Sequence, residues 1–163
     1  MHGGTVIVRT TIVSTRRLFM NEKETNYYNA VSAIISKGHW ITDQITRILK
    51  PYNITEPQYN VLRILEDKYP SVATVQEIQE EMLRKSSNVT RIIDKLLDKG
   101  FVSREIRPDN RRKMDIKLTE DGFKTIEKLN EVVHNFHAPI SEKVTEEDCR
   151  NLIHILKKID SSF

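Results

Sequence analysis

The stretch SSNVTRIIDKLLDKGFVSREIRPDNRRKMDIKLTEDG, residues 86–122, changes its periodicity at Gly100. Before the glycine, Val89, Ile92, Ile93, Leu96 and Leu97 recur at i, i+3, i+4, i+7 and i+8, the spacing of a one-faced amphipathic helix. Ser86 is the predicted N-cap, and Gly100 falls at the C′ position where a left-handed residue ends a helix. The opposite face carries Ser87, Asn88, Thr90, Arg91, Asp94, Lys95 and Asp98. After Gly100 the period is two. Phe101, Ser103 and Glu105 alternate with Val102, Arg104 and Ile106, and Lys113, Asp115 and Lys117 alternate with Met114, Ile116 and Leu118. Pro108-Asp109-Asn110 between them is turn chemistry, so the unit reads as a β-hairpin with a basic tip that includes Arg111 and Arg112.

Upstream, Thr55 is a suitable N-cap and Pro57 is tolerated in a first turn. Tyr59, Val61, Leu62, Ile64 and Leu65 are the apolar positions of that helix, which Pro70 and Ser71 end. Thr74 caps a short helix with Ile78 and Met82 on one face. Helices joined by a tight turn and followed by a basic hairpin make a winged helix-turn-helix. An α-helix fits the DNA major groove, and the residues of its first turns reach base edges and phosphates. The candidate DNA contacts are therefore Ser86, Ser87, Asn88, Thr90, Arg91 and Lys95. Arg111 and Arg112 suit a narrow minor groove, whose negative potential attracts arginine.

The flanks read as helices. From about residue 26 to 50, Tyr27, Val31, Ile34, Gly38, Ile41, Ile45 and Ile48 form a heptad seam, long enough to pack on a second subunit, and Pro51 stops it. Thr119 caps a helix with Ile126, Leu129, Val132, Val133 and Phe136 on one face, which Pro139 is expected to break. A last helix follows Thr145, with acids at its positive end and Leu152, Ile155, Leu156 and Ile159 apolar. The expected fold is thus mainly α: a winged-helix lobe over about 55–118, a two-stranded hairpin wing, and a helical dimerisation region from about 26–50 and 120–160, all in one domain over 20–163. Residues 1–19 hold three arginines and no acid and are expected to be a disordered extension outside the fold, with a flexible basic arm as the alternative.

Charge supports this reading. The net charge is only +3, but residues 84–117 hold 11 Lys/Arg against 5 Asp/Glu. One basic segment in a chain acidic over the rest of its folded part points to a polyanion met by that segment. Length, 163 residues, fits a single domain with a real core. The lone cysteine, Cys149, excludes a disulfide framework within the chain and fits a cytoplasmic setting. No apolar run is long enough for a membrane span. Five glycines form no phosphate-cradling loop, and no Gly-x-Ser-x-Gly or His-Glu-x-x-His occurs, so neither an enzyme nor a cofactor is expected.

At these residues the chain resembles the MarR family of bacterial and archaeal transcriptional regulators, from residue 26 to about 159. Asp109-Asn110-Arg111 followed by Leu118-Thr119-Glu120-Asp121-Gly122 is similar to the family's wing signature and helix start, and ITEPQYNVLRIL, 54–65, is similar to its second helix. The resemblance implies a homodimer held by the first and last helices, bound to double-stranded DNA at a pseudo-palindromic operator. It implies a transcriptional repressor released by a small ligand. It gives Asp109 the role of supporting the wing arginines. It also places an effector cavity between dimer helices and lobe, with His39, Trp40, Tyr59 and Arg63 as candidate lining. The rival reading is a winged-helix module that binds protein, which leaves the basic island unexplained. For Cys149 as a redox sensor, neighbouring Glu146, Glu147 and Asp148 oppose thiolate formation. For His134 and His137, a pair three apart without a carboxylate frame reads as solvent-facing, so no metal is expected.

Overall fold

The computed structural model describes residues 22–82, 88–107 and 110–160, without the side chains of residues 107, 110–113 and 160. Residues 1–19, Ser86, Ser87 and Asp109 therefore lie outside what is described. The order is α1 Glu22–Leu49, a 3-10 turn Lys50–Tyr52, α2 Glu56–Lys68, β1 Ala73–Thr74, α3 Val75–Glu81, α4 Val89–Asp98, β2 Val102–Arg107, β3 Asn110–Leu118, α5 Glu120–Ser141 and α6 Glu146–Asp160. Two compact units divide between Gln44 and Ile45, within α1.

In the second unit the core forms where the periodicities converge. Tyr59, Val61, Leu62, Ile64 and Leu65 of α2 are all buried. They meet Ile78 and Met82, Val89, Ile93 and Leu96 of α4, Val102, Ile116 and Leu118 of the hairpin, and Ile126 and Leu129 of α5 in one apolar cluster. All three expected threonine caps are made, Thr55 with Gln58 and Thr74 with Glu77 as full capping boxes and Thr119 by accepting from Gly122 N. Gly100 has φ 72°, in the left-handed region. The amide of Phe101 donates to Leu96 O at 3.0 Å and that of Gly100 to Leu97 O at 2.9 Å, the paired bonds of a Schellman end.

Four details differ from the sequence reading. The sheet has three strands, in the order β1-β3-β2, because Ala73 and Thr74 pair with Ile116 and Asp115. The N-cap of α4 is Asn88 rather than Ser86, and its carbonyl accepts from Ile92 N at 3.2 Å. The hairpin turn is shorter than expected. Arg107 already pairs with Asn110 while Ile106 pairs with Met114, so residues 111–113 form an out-of-register bulge on β3 instead of part of the loop. Finally, α5 runs through Pro139 to Ser141. A proline this close to the C-terminus removes only one late hydrogen bond, and the helix ends within the next turn.

The first unit, residues 22–44, is almost wholly solvent-facing. Tyr27, Tyr28, Ile34, Ile35, Trp40 and Ile41 are all exposed large apolar side chains. In the second unit, every residue of α6 with a described side chain is exposed, including Leu152, Ile153, Ile155, Leu156 and Ile159. Among the described residues no helix is long and apolar enough to cross a membrane.

Candidate nucleic-acid interface

Helix α4 is anchored through one face and free on the other. Val89, Ile93 and Leu96 lie in the core, while Asn88, Thr90, Arg91, Asp94, Lys95 and Asp98 are exposed. Thus the predicted contacts on this helix that are described stand together on one solvent-facing surface. The helix is held at its far end by Lys99, whose Nζ donates to Asn53 O and, at 3.3 Å, to Gln58 Oε1. Burial lowers the Lys99 pKa, and the neighbouring charge of Lys95 lowers it further. Gln58 is itself buried and closes the capping box of α2, so the end of α4 and the start of α2 share one polar joint.

The wing is tied to the same helix. Arg104 Nη2 lies 3.0 Å from Asp94 Oδ1, with the two side chains 27% and 51% exposed. This pair neutralises a carboxylate three residues along α4 from Arg91, on the exposed face, where an unpaired acid would repel a phosphate. A second pair, Lys117 with Glu105, crosses the hairpin diagonally. Beyond it the backbone bulge carries Arg111 and Arg112, two of the predicted wing contacts, on β3.

The junction behind the wing depends on Gly122. Thr119 N donates to Phe101 O at 3.1 Å, and Thr119 Oγ1 bonds Gly100 O at 2.7 Å and receives Gly122 N at 3.0 Å. A Cβ on Gly122 would stand 1.9 Å from Phe101 O. The Leu-Thr-x-x-Gly run is therefore a close-approach motif: the first turn of α5 sits on the carbonyl that begins the wing.

The candidate effector residues lie in two places. His39 and Trp40, in the first unit, line an open hollow of about 510 Å³ on one face of α1 with Ser32, Ile35, Ser36 and Asp43. Tyr59, in the second unit, is buried. Its hydroxyl donates to Asn130 Oδ1 at 2.9 Å, and Asn130 Nδ2 donates to Glu66 at 2.8 Å and 3.0 Å. Burial raises the Tyr59 pKa; Arg63 opposes this and Glu66 adds to it. Arg63 is exposed and borders a smaller hollow of about 160 Å³ with Asn60, Ile64, Asp67 and Glu81.

Sequence reasoning missed three contacts here. Lys99 with Gln58, Arg104 with Asp94, and the Tyr59-Asn130-Glu66 chain all join different elements, and only the charge signs of the second pair are visible in the sequence. Cys149 is an exposed free thiol beside Asp148, whose carboxylate the Thr145 hydroxyl and amide hold below its ordinary range. Among the described residues no three His, Cys, Asp or Glu side chains gather as a metal site.

Comparison with known proteins agrees with this geometry. The MarR family model matches residues 54–114, which run from the end of the α1–α2 connection through the wing bulge. The HTH-type transcriptional repressor IacR of Pseudomonas putida is 26% identical over 118 residues, 72% of this chain and 70% of that protein. The multiple antibiotic resistance protein MarR of Escherichia coli K12 is 27% identical over 116 residues, 71% and 79% of the two chains. Among solved structures, the S. aureus MepR–DNA complex superposes with a TM-score of 0.72 at 22% identity, covering 83% of this chain and 98% of that one, a likeness of fold. A family match centred on the helix-turn-helix and wing, relatives aligned over more than two thirds of the chain, and a shared fold lead to one conclusion: over residues 54–114, from the α1–α2 connection through the wing, the chain is similar to the MarR family.

Proposed function

We propose that the protein is a DNA-binding transcriptional regulator, a repressor that binds a pseudo-palindromic operator as a homodimer. The observation that carries this is the exposed polar face of α4, fastened by Arg104–Asp94 to a wing that carries a basic bulge. Ser86, Ser87, Asn88, Thr90, Arg91 and Lys95 contact the major groove and its phosphates. Arg111 and Arg112 contact the adjacent minor groove, with Asp109 supporting the wing. The names of the relatives, a transcriptional repressor and a multiple antibiotic resistance protein, and a neighbour solved on DNA, support the same reading. It has no catalytic role, and a regulator of this kind works in the cytoplasm beside its DNA.

Dimerisation accounts for two unpartnered surfaces. The seam of α1 and the apolar side of α6 each expose large hydrophobic residues in the single chain. A second copy covers them at a gain of roughly 25 cal/mol per Å² of apolar surface removed from water. For a small-molecule effector, the candidate contacts are His39 and Trp40 on α1 and, on α2, Tyr59 and Arg63.

Fluorescence anisotropy of labelled duplexes across salt tests the DNA reading. The wild-type chain binds with a steep salt slope, and Arg91→Ala and Arg111→Ala each lower that slope by up to ~0.9 per lost phosphate contact. Equal binding by wild type and both variants would instead favour a winged-helix module that docks on protein.

A further inference from the structure

One face of the hairpin carries Val102, Arg104 and Ile106 from β2 opposite Leu118, Ile116 and Met114 from β3. Along this face burial falls away from the lobe. Val102, Ile116 and Leu118 belong to the core, Arg104 is pinned to Asp94 of α4, and Ile106 stands 60% exposed. A single exposed isoleucine is ordinary on a protein surface. This one is set apart by its neighbours. It shares a strand face with the arginine that reaches the exposed side of α4, and the register slips immediately after it. Residues 104–113 hold five basic and two acidic side chains. An apolar group inside a basic hairpin matches a surface that is anionic outside and apolar within, which describes the minor groove: phosphate rims and deoxyribose walls.

Resting on the regulator reading above, we propose that Ile106 is a specificity-determining DNA contact, packing against the deoxyribose walls of the minor groove flanking each half-site. A narrow A·T-rich groove brings both walls against a branched side chain, whereas a wider groove leaves one of them out of reach. Ile106 thereby reads groove width through shape, beside arginines that read it through potential.

The test is anisotropy of the full-length chain on two fluorescein-labelled duplexes that carry the operator selected from a random pool, one with A·T flanks and one with G·C flanks. Ile106→Ala should bind the A·T-flanked duplex roughly three- to tenfold more weakly, the scale of one or two fully buried methylenes, because the groove walls cover only part of the side chain. Its slope of log K against log salt should match wild type, since no phosphate contact is lost. Its preference for A·T over G·C flanks should shrink, and Ile106→Leu should restore most of both. Thermal melts of these variants should match wild type, because the side chain is exposed. Unchanged binding by Ile106→Ala would overturn the proposal, as would a loss accompanied by an altered salt slope. A variant that changes oligomeric state would also overturn it, showing the face to be covered by a second copy. Failure of the wild-type chain to bind any duplex refutes the regulator reading instead.

Discussion

Replacing Gly122 by alanine should damage the fold although alanine is the better helix former. The added Cβ would lie 1.9 Å from Phe101 O, 2.8 Å from Phe101 C and 3.2 Å from Leu118 Cδ2. Two of these are backbone atoms of the turn that ends α4 and begins β2, so no side-chain rotation relieves the clash. The first turn of α5 must move away. That stretches the bonds from Thr119 N to Phe101 O at 3.1 Å and between Thr119 Oγ1 and Gly100 O at 2.7 Å. Overpacking of this kind costs about 1–3 kcal/mol, and each weakened hydrogen bond about 0.5–1.5 kcal/mol. The helix propensity gained from alanine returns about 1 kcal/mol. The net expectation is a loss of about 2–4 kcal/mol. With a urea slope of about 2 kcal/mol/M, the middle of the usual range for small proteins, the midpoint should fall by about 1–2 M. The measurement is equilibrium urea unfolding followed by far-UV circular dichroism, at matched protein concentration because an oligomer's stability depends on it. A midpoint equal to or above wild type would refute the close-approach account of Gly122.

Ile93→Ala opens a cavity at a fully buried position of α4 and should cost about 2–5 kcal/mol in the same assay. Tyr59→Phe removes the donor to Asn130 Oδ1 in a half-buried network and should cost about 1–3 kcal/mol, read by thermal melting. Asp94→Ala should change stability by less than about 1 kcal/mol, since the pair with Arg104 is partly exposed, while altering DNA sequence preference in a binding series. Asp148 is held below its ordinary value of 3.8 by Thr145, so its contribution to α6 is present above that value and fades as pH falls through the depressed one. In an acid titration of helicity, Asp148→Ala should flatten that final loss. Trp40 is the only tryptophan, so an effector bound beside His39 should change the intrinsic fluorescence and leave His39→Ala less responsive.

The reading of the fold from sequence worked where one residue's surroundings follow from its near neighbours. The i, i+3, i+4 spacing from Val89 to Leu97 identified the buried face of α4, and Gly100 marked its end because a left-handed residue there is a local requirement. Thr55, Thr74 and Thr119 were legible as caps for the same reason. What escaped depends on partners distant in the chain. Two residues, Ala73 and Thr74, are too few to show an alternation, and their strand exists only because β3 offers an edge. The bulge at 111–113 preserves period two on both sides, so nothing in the pattern of polarity reveals it. The role of Gly122 requires knowing where Phe101 O lies, and Asn130 meets Tyr59 across 71 positions. Within the candidate site, the exposed face of α4 was readable as the complement of its core face. Its tie to the wing through Arg104 was not, because it spans the Gly100 turn.

The central claim is sequence-specific DNA recognition by α4 and the wing. It is tested most directly by selecting duplexes from a random pool with the full-length protein, in parallel with an Arg91→Ala/Arg111→Ala double variant, and sequencing what is retained. The account predicts that the wild type enriches an inverted repeat with half-site centres ~10–10.5 bp apart, one helical turn. The double variant should lose that enrichment while melting like wild type. A pool that stays random with the wild type, or an identical motif from the double variant, would contradict it.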